Sequence, residues 1–137
     1  MEYVVGVVLA LAISIGASVI GMDRDRCFYP AVLMVVASYY ALFAIMAGST
    51  HALVVECFPI ALFLLAAVTG FKKALWWVVI GLVGHGLFDF VHGHLISNPG
   101  VPVWWPGWCL AYDITAGAYL ACLLSRSKTK KNRPSQA

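Results

Sequence analysis

Three carboxylic acids and two histidines stand inside otherwise apolar runs of this sequence: Glu56, His85, Asp89, His92 and Asp113. Acids in such surroundings are expensive. Each charged group near the centre of a bilayer costs about 2.5–3.5 kcal/mol, so three of them, ionised and unpaired, would cost on the order of 7–10 kcal/mol. Lysine and arginine cannot supply the compensation, because all 9 of them fall elsewhere, at Arg24 and Arg26, at Lys72 and Lys73, and from Arg126 to Arg133. The remaining partners are a proton on each acid, a histidine, or a metal ion.

The spacing favours a shared centre. His85, Asp89 and His92 stand at i, i+4 and i+7, which puts them on one stripe of a helix. His94 points the other way. Counting inward at 1.5 Å per residue from the outer ends of the apolar runs, Glu56, Asp89, His92 and Asp113 lie at depths of about 6–10 Å. His85 lies deeper and His51 sits at the outer edge. A carboxylate one turn from a histidine can share a metal with it or orient its ring. The expected metal ligands are Asp89, His92, Asp113 and Glu56, around one divalent ion or a close pair. Glu56 and His85 are the expected catalytic residues, with Glu56 as the spare carboxylate base and His85 as a further ligand or as a group orienting one. Mixed imidazole and carboxylate ligation suits zinc or iron better than magnesium or calcium. Zinc would serve a hydrolase by activating water, and iron an oxidoreductase by activating oxygen. Neither H-E-x-x-H nor G-x-S-x-G occurs.

Cys27, Cys57, Cys109 and Cys122 follow neither a disulfide framework nor a zinc-ribbon spacing. They read first as small apolar fillers. Cys57 beside Glu56 and Cys109 one turn before Asp113 are placed where a thiolate ligand or a disulfide could also form.

The elements that must position these residues are membrane spans. The chain has 137 residues, 62% hydrophobic and 11% charged, less than half the charge that a water-soluble surface of this size carries. Five apolar stretches emerge, Tyr3–Gly21, Ala31–Gly48, Ala52–Gly70, Ala74–Ile96 and Gly107–Leu124. Each is about 17–23 residues, the length needed to cross a bilayer as a helix. The fold class expected is all-α, a polytopic membrane helix bundle. Residues 1–125 form a single transmembrane domain and 126–137 a basic cytoplasmic tail. The first stretch lacks a basic leader and reads as a span that stays in place. Basic residues follow the first, third and fifth stretches, so the positive-inside rule puts the N-terminus outside and the C-terminus in the cytoplasm. The basic tail is expected to lie on anionic lipid and not on nucleic acid.

The string His85-Gly86-Leu87-Phe88-Asp89-Phe90-Val91-His92-Gly93-His94, followed by Pro99, Pro102, Pro106 and Cys109-Leu110-Ala111-Tyr112-Asp113, resembles an uncharacterised family of small bacterial multi-pass membrane proteins. That resemblance covers about the last third of the chain. It implies the bacterial inner membrane and a shared site at these residues, and it implies no reaction.

The resulting expectation is a metal-dependent membrane enzyme acting on a lipid-like substrate from the outer leaflet. Two alternatives use the same residues. In a transporter component they would relay protons or bind a cation, and five short helices would then need a homo-oligomer. In an accessory subunit they would be contacts to a larger complex. The connection from Ser97 to Pro106 is stiff and apolar, and is expected either to cover the site or to anchor the interface.

Overall fold

A computed structural model describes residues 1–131 of the chain. All its long elements are helices: α1 (Glu2–Ile20), α2 (Phe28–Met46), α3 (Thr50–Lys72), α4 (Trp76–Leu95) and α5 (Trp105–Lys131), with one 3-10 turn at Met22–Arg24. All five are long and apolar enough to span a membrane.

Local chemistry sets the boundaries. Gly21, at φ 89°, ends α1 in the left-handed conformation that glycine adopts without penalty, its N–H bonded to the Ala17 carbonyl. Ser49 caps α3, its hydroxyl accepting from the Ala52 N–H at 3.2 Å. Pro30 and Pro106 fall in the first turns of α2 and α5, where a missing N–H goes unused. α3 continues through Pro59. α5 runs past the expected end at Leu124 as far as Lys131; the remainder of the expected tail, 132–137, lies outside the described residues.

The helices alternate in direction, so their ends form two levels. One level carries Arg24, Arg26, Lys72, Lys73 and Arg126 and is called the basic end below. The other holds Glu2, the α2–α3 turn and the 97–104 connection, and is called the loop end. α5 packs between α1 and α4, α3 packs between α2 and α4, and α1 and α2 lie apart along most of their length. A slot of about 370 Å³ between them is walled by Leu9, Ile13, Val32 and Val35, with Trp108 and Tyr112 at its floor.

Small residues bring the backbones together beside the polar positions. A Cβ on Gly86 would stand 3.2 Å from the Leu110 carbonyl oxygen and 3.3 Å from the Asp113 Cβ, so this glycine sets how closely α4 approaches α5. Gly6 does the same for α1 against the Trp108 carbonyl. Outward positions are large and apolar, with Phe58 76% and Phe90 69% exposed, a surface that only lipid can cover favourably.

Candidate metal centre

The polar residues converge from three helices at the loop end of the bundle. Glu56 comes from the second turn of α3, His85, Asp89 and His92 from the last three turns of α4, and Asp113 from the third turn of α5. None is more than 2% exposed. The inward stripe on α4 is therefore as the spacing predicts, and His51 and His94 are both exposed.

These residues fall into two groups. In the deeper one, His85 Nδ1 lies 2.7 Å from Asp113 Oδ2 and 3.3 Å from Asp89 Oδ2. The Cys109 thiol donates to Asp113 Oδ2 at 3.4 Å and lies 4.0 Å from His85 Nδ1. Ligand atoms of His85, Asp89, Cys109 and Asp113 all lie within 4.8 Å of one another, so this buried group could hold a metal ion. Donors around a tetrahedral zinc, with bonds of about 2.0–2.3 Å, stand roughly 3.3–3.8 Å apart, so an ion would draw the wider pairs together and part His85 from Asp113, now 2.7 Å apart. Cys109 thus joins the centre, whereas Cys57 is exposed and all four cysteines are free.

In the group nearer the loop end, His92 Nε2 and Glu56 Oε1 are 2.7 Å apart. The Asn98 side-chain amide donates to Glu56 Oε1 at 2.9 Å and to the Tyr40 carbonyl at 3.0 Å. Asn98 Oδ1 in turn accepts from the Gly100 N–H at 3.2 Å. Glu56 and His92 therefore stand apart from the four clustered donors, where the sequence had suggested a single set with Asp89 and Asp113.

Tyr40 joins the two groups. Its hydroxyl donates to Asp89 Oδ1, and its ring stacks on His92 with centroids 4.0 Å apart at 22°. Neither Tyr40 nor Asn98 stood out in the sequence. The only signal available was a pair of tyrosines, Tyr39-Tyr40, inside an apolar span, with Asn98 the sole amide in the proline-rich connection.

Hydrogen-bond bookkeeping leaves the deeper group incomplete. An imidazole nitrogen carries at most one hydrogen, so His85 Nδ1 cannot serve both aspartates at once. Asp89 Oδ2, Asp113 Oδ1 and His85 Nε2 are buried without a hydrogen-bond partner, as is Glu56 Oε2 in the outer group. Orphaned acceptors of this kind cost about 1–3 kcal/mol each. The described lysines and arginines are all at the basic end, so protons or a cation must make up the difference.

No protein-family model, curated protein or solved structure matches this chain. Its chemistry must be read from the site itself.

Two further features bear on access. The 97–104 connection lies over the loop end, and Gly100 sits so close to the Phe43 carbonyl that a side chain there would overlap it. Beneath the connection is a cavity of about 300 Å³ lined by His92, Ser97, Asn98, Pro99, Pro102 and Pro106 among others. In the opposite direction the core along α3 to α5 turns apolar: Phe63 packs edge-on against His85 at 4.7 Å, and Ala67, Val78, Leu82 and Leu120 follow, all buried.

Proposed function

We propose that this chain is a metal-dependent enzyme of the bacterial inner membrane, N-terminus outside, which acts on a lipid-like substrate drawn from the outer leaflet. The observation that carries the reading is the meeting of four buried potential ligands, one imidazole, one thiol and two carboxylates, with no lysine or arginine among them. Such a set suits zinc or iron, since thiolate and imidazole disfavour magnesium and calcium.

His85, Cys109 and Asp113 are the proposed ligands, an imidazole, a thiol and a carboxylate 2.7–4.0 Å apart. Asp89 is the proposed proton acceptor: Tyr40 fixes one of its oxygens, and the other, 3.3 Å from His85 Nδ1, accepts no hydrogen bond. A bound zinc would supply an activated water, and an iron would supply oxygen chemistry. The protein would supply a water-poor pocket, which strengthens every electrostatic term within it. Substrate would approach through the cavity at His92, one helical turn from Asp89, with the connection above it displaced.

A proton or cation relay across the membrane is less well supported. The acids and histidines of α3 to α5 go no further than His85, and Phe63, Leu82 and Val78 pack beyond it toward the basic end.

Elemental analysis of the purified, detergent-solubilised full chain tests the proposal, together with Asp113→Asn and His85→Gln. One zinc or iron per chain, lost in both variants while helicity and melting are retained, is the expected result. The metal-loaded protein should then alter the outer-leaflet lipid or a lipid-like amphiphile in vesicles, and Asp89→Asn should bind metal without that activity. Protein that carries no metal and takes up none would overturn the reading.

A further inference from the structure

We propose that Glu56 and His92 form a second, weaker divalent-cation site, at which a metal ion is captured before it moves to the buried group. The destination of that ion rests on the metal-centre reading above, whereas the capture site does not.

Glu56 is fully buried, yet only one of its oxygens is engaged. Oε1 accepts from both His92 and Asn98, while Oε2 has no partner. A carboxylate kept half-satisfied in a dry setting is poised for a ligand that brings positive charge. His92 supplies a nitrogen donor beside it, and both His92 and Asn98 line the cavity under the connection.

The walls of that cavity select the same kind of ligand. Pro99, Pro102 and Pro106 have no N–H groups, so these wall positions offer no backbone donor to an anion. The long-range field agrees with this. Glu56, Asp89 and Asp113 lie in the loop-end half of the molecule, where Glu2 is paired with the N-terminal ammonium, and the described lysines and arginines lie at the other end. Such a separation draws cations, and repels anions, at the mouth of the cavity. Two protein ligands and the space for retained water make a weaker, faster-exchanging site than four protein ligands.

Position makes the pair a way in. His92 precedes the deeper group by one turn of α4, about 4.5 Å of rise from Asp89. Tyr40 stands between them, its ring on His92 and its hydroxyl on Asp89. Rotation of that one side chain would connect the two sites.

The test uses the full chain in detergent, in a His51→Ala/His94→Ala background that removes the exposed imidazoles. Stripped protein is titrated with zinc ion alone by equilibrium dialysis, and the rate of filling is followed by stopped-flow chelator competition. Two classes of zinc are expected, one tight and one weak. Glu56→Gln and His92→Gln should each abolish the weak class and slow filling of the tight one by at least about tenfold, the lower end of the effect expected for a lost metal-site partner. Asp113→Asn should abolish the tight class and keep the weak one. A parent protein with only a tight class overturns the capture site and leaves the buried centre standing. A parent with only the weak class does the reverse. Unchanged filling rates in both Glu56→Gln and His92→Gln also overturn it. Should either variant melt early, the two-class count in the parent still decides.

Discussion

At the scale of residues, the deeper group is defined by a shortage of hydrogen atoms. His85 Nδ1 faces two aspartate oxygens with a single proton to offer, and Cys109 and Tyr40 each donate only once. A metal ion removes that shortage and Tyr40 then orients Asp89, so Tyr40→Phe should weaken metal binding about 10- to 100-fold, as loss of a partner that orients a metal site does. The stack on His92 survives in that variant, while Asp89 Oδ1 loses its donor, so the metal-free protein should also lose about 1–3 kcal/mol of stability. Competition with a graded series of chelators measures the affinity, and an unaltered affinity would remove Tyr40 from the site. Much of this chemistry is legible in the sequence, because an acid or a histidine inside an apolar run is conspicuous and the i, i+4, i+7 stripe fixes its direction on α4. Tyr40 and Asn98 were not legible as site members, and Cys109 was legible only as a possible ligand beside its reading as an apolar filler. A tyrosine or a cysteine costs little in a span and needs no explanation there, and only the packing of α2 and α5 against α4 shows what these side chains touch.

At the scale of elements, the centre depends on how closely α4 meets α5. Gly86 sits at that contact, and the atoms its Cβ would press on belong to the α5 backbone and to Asp113 itself. Gly86→Val should therefore push Asp113 away from His85, with a loss of about 1–3 kcal/mol typical of overpacking and with metal uptake abolished. Gly81→Ala is the matched control, since its neighbour is the flexible end of Leu33. Metal content and detergent melting of the two variants separate these effects. The 97–104 connection is the second element with a part in the site, tied down by Asn98 at Glu56 and at the Tyr40 carbonyl. Asn98→Ala should free it. In a Cys27→Ala/Cys57→Ala/Cys122→Ala background, a small maleimide should then label Cys109 at least about tenfold faster than in the parent, the gain expected when a local opening becomes easier by about 1.4 kcal/mol. Equal rates would mean that the connection does not control access. Five spans were legible from length and apolarity alone, and the structure moves their ends by only one to three residues except at α5. What the sequence could not disclose was helix rotation, which packing decides. Rotation is why Glu56 and His92 pair with each other and stand apart from Asp89 and Asp113.

At the scale of the whole molecule, lysines and arginines gather at one end of the bundle, and buried acids whose nearest basic partners are histidines in the half nearer the other. The proposed orientation follows from this separation, and it is testable in spheroplasts. A cysteine introduced at Ser97 should react with an impermeant maleimide added outside, and one introduced at Ser127 should react only after lysis. The reverse pattern would invert the protein and put the site on the cytoplasmic side. The same separation leaves the acids without a lysine or arginine counter-charge, and the claim that a metal fills that role is the one on which the functional reading turns. X-ray absorption spectroscopy of zinc-loaded protein addresses it most directly. The account predicts one sulfur scatterer at about 2.3 Å with nitrogen and oxygen at about 2.0–2.2 Å, the sulfur vanishing in Cys109→Ser. A zinc shell of nitrogen and oxygen alone in the parent protein, or a shell that Cys109→Ser leaves unchanged, would contradict it.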